Sequence, residues 1–294
     1  MKEDQYRKRV EAQVAKSARA AKRPRAKSRG RRGAAKVSNQ ITEIDRMRFD
    51  ARESRKLDEL IRILGDPDEP LELRQAAFRA LKTASFLGPI FAPYRAGYLK
   101  CLRAIASDPE GEIREEALET LSMEKVDYAR RLLFDGLKDP EKALVPAAKA
   151  IQFLSHDGHA EAASLVRKIL AKTGDLAAKE AALRFLSSDP GSASLLTRIL
   201  KDRSQPPRVR SLSATALRIA KPKAFERAAR SIVKNKAEND AVRATCLGAL
   251  ALIGDFKKTR ADPSFAKTVT SLQRGKHARV LRETAKRFMS RLGK

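Results

Sequence analysis

One pattern recurs along most of the chain at intervals of 40, 33, 32, 31, 33 and 39 residues. A period of that size marks a supersecondary unit that buries its apolar face only by stacking on copies of itself. The register is set by Arg74, Arg114, Ala147, Lys179, Arg210, Arg243 and Arg282. Leu73, Ile113, Pro146, Ala178, Val209, Val242 and Leu281 precede these anchors. Three positions after them stand Ala77, Ala117, Ala150, Ala182, Ser213, Cys246 and Ala285. Four after come Phe78, Leu118, Ile151, Leu183, Ala214, Leu247 and Lys286; seven after come Leu81, Leu121, Leu154, Leu186, Leu217, Leu250 and Met289. These offsets fall on one helical stripe. The small column lets a neighbouring helix approach closely, and the large aliphatic columns fill the space between units.

A second amphipathic stretch precedes each anchor helix, for example Leu57-Leu60-Ile61-Leu64 or Leu195-Leu196-Ile199-Leu200. Turn signals join the pairs at Asp66-Pro67, Asp108-Pro109, Asp139-Pro140, Gly174-Asp175 and Pro206-Pro207. The joints running from Asp108 to Ile113-Arg114, from Asp202 to Val209-Arg210 and from Asp240 to Val242-Arg243 resemble those of HEAT repeats, in particular the short phycobilisome-lyase type. The resemblance covers roughly residues 54–294. It implies a fold and leaves function open, because this repeat serves many roles. Tetratricopeptide repeats are opposed by the lack of Trp and of a Leu-Gly…Tyr pattern, and ankyrin repeats by the lack of Thr-Pro-Leu-His. The expectation is an all-α, right-handed α-solenoid of about seven HEAT-like hairpins. A basic tail, disordered or partly helical, is expected to precede it.

Charge divides the chain unevenly. Of 63 Lys/Arg and 36 Asp/Glu, residues 1–40 hold 14 and 3, residues 41–198 hold 25 and 26, and residues 199–294 hold 24 and 7. Residues 1–40 therefore read as a tail and 41–294 as the repeat domain, with a neutral half to 198 and a strongly basic half beyond. The stretch 22–36 has no apolar periodicity, and Pro24, Gly30 and Gly33 break any helix, so it is expected to be disordered when free. A net charge of +27 calls for a counter-charge, with nucleic acid, an anionic membrane or an acidic protein as the usual partner classes.

The leading expectation is a non-enzymatic scaffold that binds the phosphate backbone of DNA or RNA. Its candidate contacts are Lys22, Arg23, Arg25, Lys27, Arg29, Arg31 and Arg32 in the tail. In the basic half they are Lys223, Arg227, Arg230 and Lys234 on one helix face, Lys257, Lys258 and Arg260 in a basic loop, and Lys276, Arg279, Lys286 and Arg287 near the C-terminus. Only Glu226 lies near the four-cation face in sequence. The anchors Arg114, Arg210 and Arg243 are set apart as structural, because in HEAT-like stacks this Arg pairs with a joint Asp. The alternative is an adaptor for an acidic protein, with a protein partner on the N-terminal repeats. Phe86, Phe91, Tyr94 and Tyr98 cluster in the first long joint, either as a buried plug or as a docking patch.

Catalysis is expected to be absent. DNA-alkylation-repeat glycosylases share the architecture and a basic face, but that family uses tryptophans, and this chain has no Trp. His156 and His159, three residues apart, are a weak metal signal without a third ligand. No cofactor or metal is expected. Cys101 and Cys246 read as free thiols in a reducing, intracellular compartment, either cytoplasm and nucleoid or nucleus. No apolar run approaches the ~20 residues that span a bilayer.

Overall fold

A computed structural model describes residues 31–49, 54–156, 160–253 and 256–292. Every regular element among them is helical. They divide into two units, one ending at Pro146 and the other beginning at Ala147.

In the first unit, α1 (Arg31–Asp45) packs on α3 (Leu71–Ala84), which pairs with α2 (Ser54–Gly65). A short turn of helix, α4 (Gly88–Phe91), and a 3-10 turn (Ala92–Tyr94) lead into α5 (Arg95–Ile105). That helix pairs with α6 (Gly111–Met123), and α7 (Asp127–Lys138) follows. Gly88 sits at φ +37°, where an L side chain is strained, although a Cβ there would meet open space. Helix α6 ends in a Schellman turn, with Lys125 N–H on the Ser122 carbonyl and Val126 N–H on that of Leu121. The left-handed position is held by Lys125 at φ 54°.

The second unit has two layers. One holds α8 (Ala147–Leu154), α10 (Leu176–Phe185), α12 (Pro207–Ala220), α14 (Asp240–Ile253) and α17 (Arg279–Leu292). The other holds α9 (Ala160–Lys172), α11 (Ala193–Lys201), α13 (Pro222–Lys234) and α16 (Pro263–Leu272). The short α15 (Phe256–Arg260) occupies the segment expected to be a basic loop, and Phe256 meets the Phe288 ring edge-on at 5.6 Å. Helix starts follow local chemistry. Asp175 accepts from Ala177 N–H and Asp262 from Phe265 N–H, while Pro207, Pro222 and Pro263 supply the fixed φ of a first turn.

The anchors fall at the starts of α3, α6, α8, α10, α12, α14 and α17. Their small column is buried throughout, from Ala77 to Ala285, and so are Phe78, Leu118, Ile151, Leu183, Ala214 and Leu247. The pattern relaxes in α17, where Lys286 is exposed. These are HEAT-like helical hairpins. The tail boundary expected at 40 falls inside α1, and residues 22–30 lie outside the described residues. No described helix is long and apolar enough to cross a membrane.

Candidate functional site

Three anchor arginines are structural in one shared manner. Arg74, Arg210 and Arg243 each donate Nε–H to the carbonyl ten residues upstream, on Leu64, Leu200 and Val233. Those carbonyls lie in the last turn of the preceding helix, which lacks intrahelical donors. The guanidinium of Arg74 then meets Asp108 at 2.6 Å, and that of Arg210 clasps Glu238 through two bonds of 2.7 and 2.6 Å. All four side chains in these pairs are buried. Arg243 has Asp240 at 3.5 Å. Arg114 departs from the rule: it donates to the Leu144 and Asp108 carbonyls. Where the joint Asp was expected opposite Arg210, the structure places Glu238.

The four-cation face of α13 is largely answered from within the fold. Arg230 reaches Glu226 at 3.4 Å, Thr259 Oγ1 at 2.9 Å and Asp262 at 3.7 Å, and its guanidinium lies 4.7 Å from the centroid of the buried Phe265 ring. Lys234 meets the same Asp262 at 3.1 Å. Asp262 also caps α16, so backbone N–H and both cations hold its carboxyl below the usual range. The pairing spans 28 residues, which is why Glu226 looked like the only local counter-charge. Only Lys223 and Arg227 remain exposed and without an ion pair among the described residues.

The other basic candidates are scattered. Arg260 donates twice to the Leu292 carbonyl and so caps α17. Lys286 pairs with Glu283 at 3.5 Å. Lys276, Arg279 and Arg287 are exposed. Arg31 and Arg32 lie in α1, but their side chains, like those of Lys257 and Lys258, are outside the described residues. Lys22, Arg23, Arg25, Lys27 and Arg29 are outside them altogether. His156 is exposed and His159 lies outside.

The aromatic joint of the first unit splits into a core and a projection. Phe91 and Tyr98 are buried and stack edge-on at 5.4 Å, and Tyr98 also meets Phe78. The Tyr98 hydroxyl is buried without a hydrogen-bond partner among the described residues, and burial raises its pKa. Tyr94 is half-buried. Phe86 stands 83% exposed, beside Leu87 at 36%. The expectation of one plug or one patch is therefore corrected. Two rings form a plug, and Phe86 with Leu87 projects.

A feature of this joint is hidden by averaging charge over the neutral half. Residues 73–107 hold six Lys/Arg and no Asp/Glu. Arg74 and Arg79 are paired with Asp108 and Asp45, and Arg95 with Glu124. Lys100 and Arg103, one turn apart on α5, are exposed and without an ion pair among the described residues. Projecting apolar surface and unanswered positive charge therefore lie in one carboxylate-free segment. The two thiols show no activation: burial pushes Cys101 up to about 11 and Cys246 up to about 12, so neither offers thiolate at neutral pH.

No family model and no curated protein matches the chain. A solved structure of human deoxyhypusine hydroxylase in complex with glycerol is similar over 82% of this chain and 96% of that one, with 20% identity and a TM-score of 0.34. A likeness this loose transfers neither activity nor site. That protein is an enzyme, whereas the expectation here was of a non-enzymatic chain. The expectation of a non-enzymatic nucleic-acid scaffold is therefore corrected. Its exclusion of catalysis does not stand, and much of the cationic face that motivated phosphate binding is answered by Glu226, Thr259 and Asp262. The coarser reading holds: the chain is an all-helical protein of HEAT-like hairpins.

Proposed function

We propose that the first unit recognises a protein partner through an acidic segment that carries an apolar anchor residue. One observation carries this reading: Phe86 is 83% exposed within a stretch that has cations and no carboxylate. A side chain of that size contributes about 1.5–3 kcal/mol when a partner covers it, which is the size of an interface hot spot. Lys100 and Arg103 supply steering for a negative partner and select against a basic one. The reading concerns what the surface binds. It is independent of whether the chain also acts chemically on what it holds.

A peptide titration tests it. The probes are an Asp/Glu-rich peptide with one central Leu, the same peptide with that Leu changed to Ala, and a Lys-rich peptide keeping the Leu. The acidic Leu peptide should bind best, with a loss of about tenfold on Leu→Ala. Phe86→Ser should produce the same loss without changing helicity. Equal binding of acidic and basic peptides, or indifference to Phe86→Ser, would refute the proposal.

A further inference from the structure

Within the second unit, the anchor of α10 departs from the arginine rule. Arg74, Arg210 and Arg243 fill the space between helix ends with a guanidinium. At the equivalent place in α10 the sequence has Lys179. A lysine lacks the Nε donor and the planar fork, so it cannot clasp a carbonyl and a carboxylate together. The carbonyl ten residues upstream, that of Ile169, accepts instead from Thr173 N–H at 2.8 Å. Lys179 makes one bond, to Gln205 Oε1 at 3.1 Å.

The space that the guanidinium fills elsewhere is here part of a cleft of about 280 Å³. Its surface is more polar than apolar: Lys179 and Arg198 stand at it as cations, and the half-buried Leu195 and Ile199 give it one apolar wall, with Leu170 and Val209 buried behind them. Arg198 is exposed and makes no ion pair among the described residues. The one carboxylate at the cleft, Asp202, is occupied by its own turn. It accepts from Ser204 N–H at 2.9 Å, Ser204 Oγ at 2.6 Å and Gln205 Nε2 at 3.1 Å. Two cations against one tied carboxylate leave the cleft one positive charge in excess, next to an apolar wall.

We propose that this cleft binds a small organic acid, with its carboxylate on Lys179 and Arg198 and its apolar body against Leu195, Ile199 and Val209. The volume is that of roughly nine waters at ~30 Å³ each, which sets the ligand at about that number of non-hydrogen atoms. Lysine has two further ammonium donors free for the acid, and arginine offers a bidentate fork. An inorganic anion gains nothing from apolar contact, so phosphate has only the two cations to hold it. The neutral amide of the same shape leaves the positive excess unanswered.

The test uses benzoate, benzamide and inorganic phosphate on the full chain, read by the methyl resonances of Leu195, Ile199 and Val209. Benzoate should shift them with a dissociation constant of about 1 mM or tighter, and benzamide should be weaker by about tenfold. Phosphate should leave the methyls unmoved. Lys179→Arg restores the anchor of the other joints and should abolish benzoate binding while keeping helicity. Arg198→Ala, at an exposed position, should weaken binding about fivefold, so the proposal stays testable if Lys179→Arg does not fold. Equal binding of benzoate and benzamide, unchanged affinity in Arg198→Ala, or full binding by a folded Lys179→Arg would overturn it.

Discussion

Helix α13 with its neighbour α16, and the segment running from α3 through α5, each carry cations and a phenylalanine, and they treat them in opposite ways. Beside α13 the ring of Phe265 in α16 is buried, the Arg230 guanidinium sits 4.7 Å from its centroid, and Asp262 collects both Arg230 and Lys234. In the segment from α3 to α5 the ring of Phe86 is exposed, and Lys100 and Arg103 are exposed without an ion pair among the described residues. The first arrangement completes itself, so its charge is a property of the fold. The second leaves apolar area and charge exposed among the described residues, so it is the surface proposed to take a partner. Counting charges along the sequence ranks the two in the wrong order, because a carboxylate 28 residues away does not enter a local count.

The contrast can be broken where charge is most deeply built in. Arg210→Ala leaves Glu238 buried without its partner and should cost about 3–5 kcal/mol in denaturant unfolding. Replacing both partners with Met and Leu should recover most of that loss. The Arg210 clasp holds the Glu238 carboxyl below its ordinary value of 4.5. Because the folded pKa is the lower one, the pair's contribution is present above 4.5 and is lost as pH falls through the folded value. Glu238→Gln should flatten the acid limb of the stability curve below that pH, and an unchanged limb would assign the acid sensitivity elsewhere.

The comparison sharpens on α13 itself. Arg230→Ala should cost about 1–2 kcal/mol, because it removes a partly buried stacked cation. Lys223→Ala and Arg227→Ala should each stay within about 0.5 kcal/mol. Equal effects at all four positions would mean that the face is uniform and that the pairing through Asp262 is unimportant. The smallest expected effect lies at the end of α6. Lys125→Gly, at a left-handed position, should stabilise by about 0.5–1 kcal/mol, and thermal unfolding would register it.

The hairpin stack was legible because burial repeats with the sequence period. Ala77, Ala117, Ala182 and Cys246 are equivalent along the chain and equally buried in the fold. Partners that cross between hairpins were less legible. That Arg210 finds Glu238 and not an Asp, and that Arg114 finds carbonyls, depends on how each joint turns. Phe86 and Phe91 have the same residue type five positions apart, yet one projects and the other is buried. The helix turn beginning at Gly88 rotates them to opposite environments, and no periodicity announces it. The departure at Lys179 was visible as one odd residue in a column, but its consequence is a volume, which only packing reveals.

One crossed titration bears most directly on the claim that the joint is the recognition surface and that α13 serves the fold. The acidic Leu peptide would be titrated into Phe86→Ser and, separately, into the double variant Lys223→Glu/Arg227→Glu, with helicity checked in both. The account expects about a tenfold loss of affinity in the first, from the lost apolar contact, and less than about twofold in the second. A loss confined to the double variant would contradict it and move the binding surface to α13.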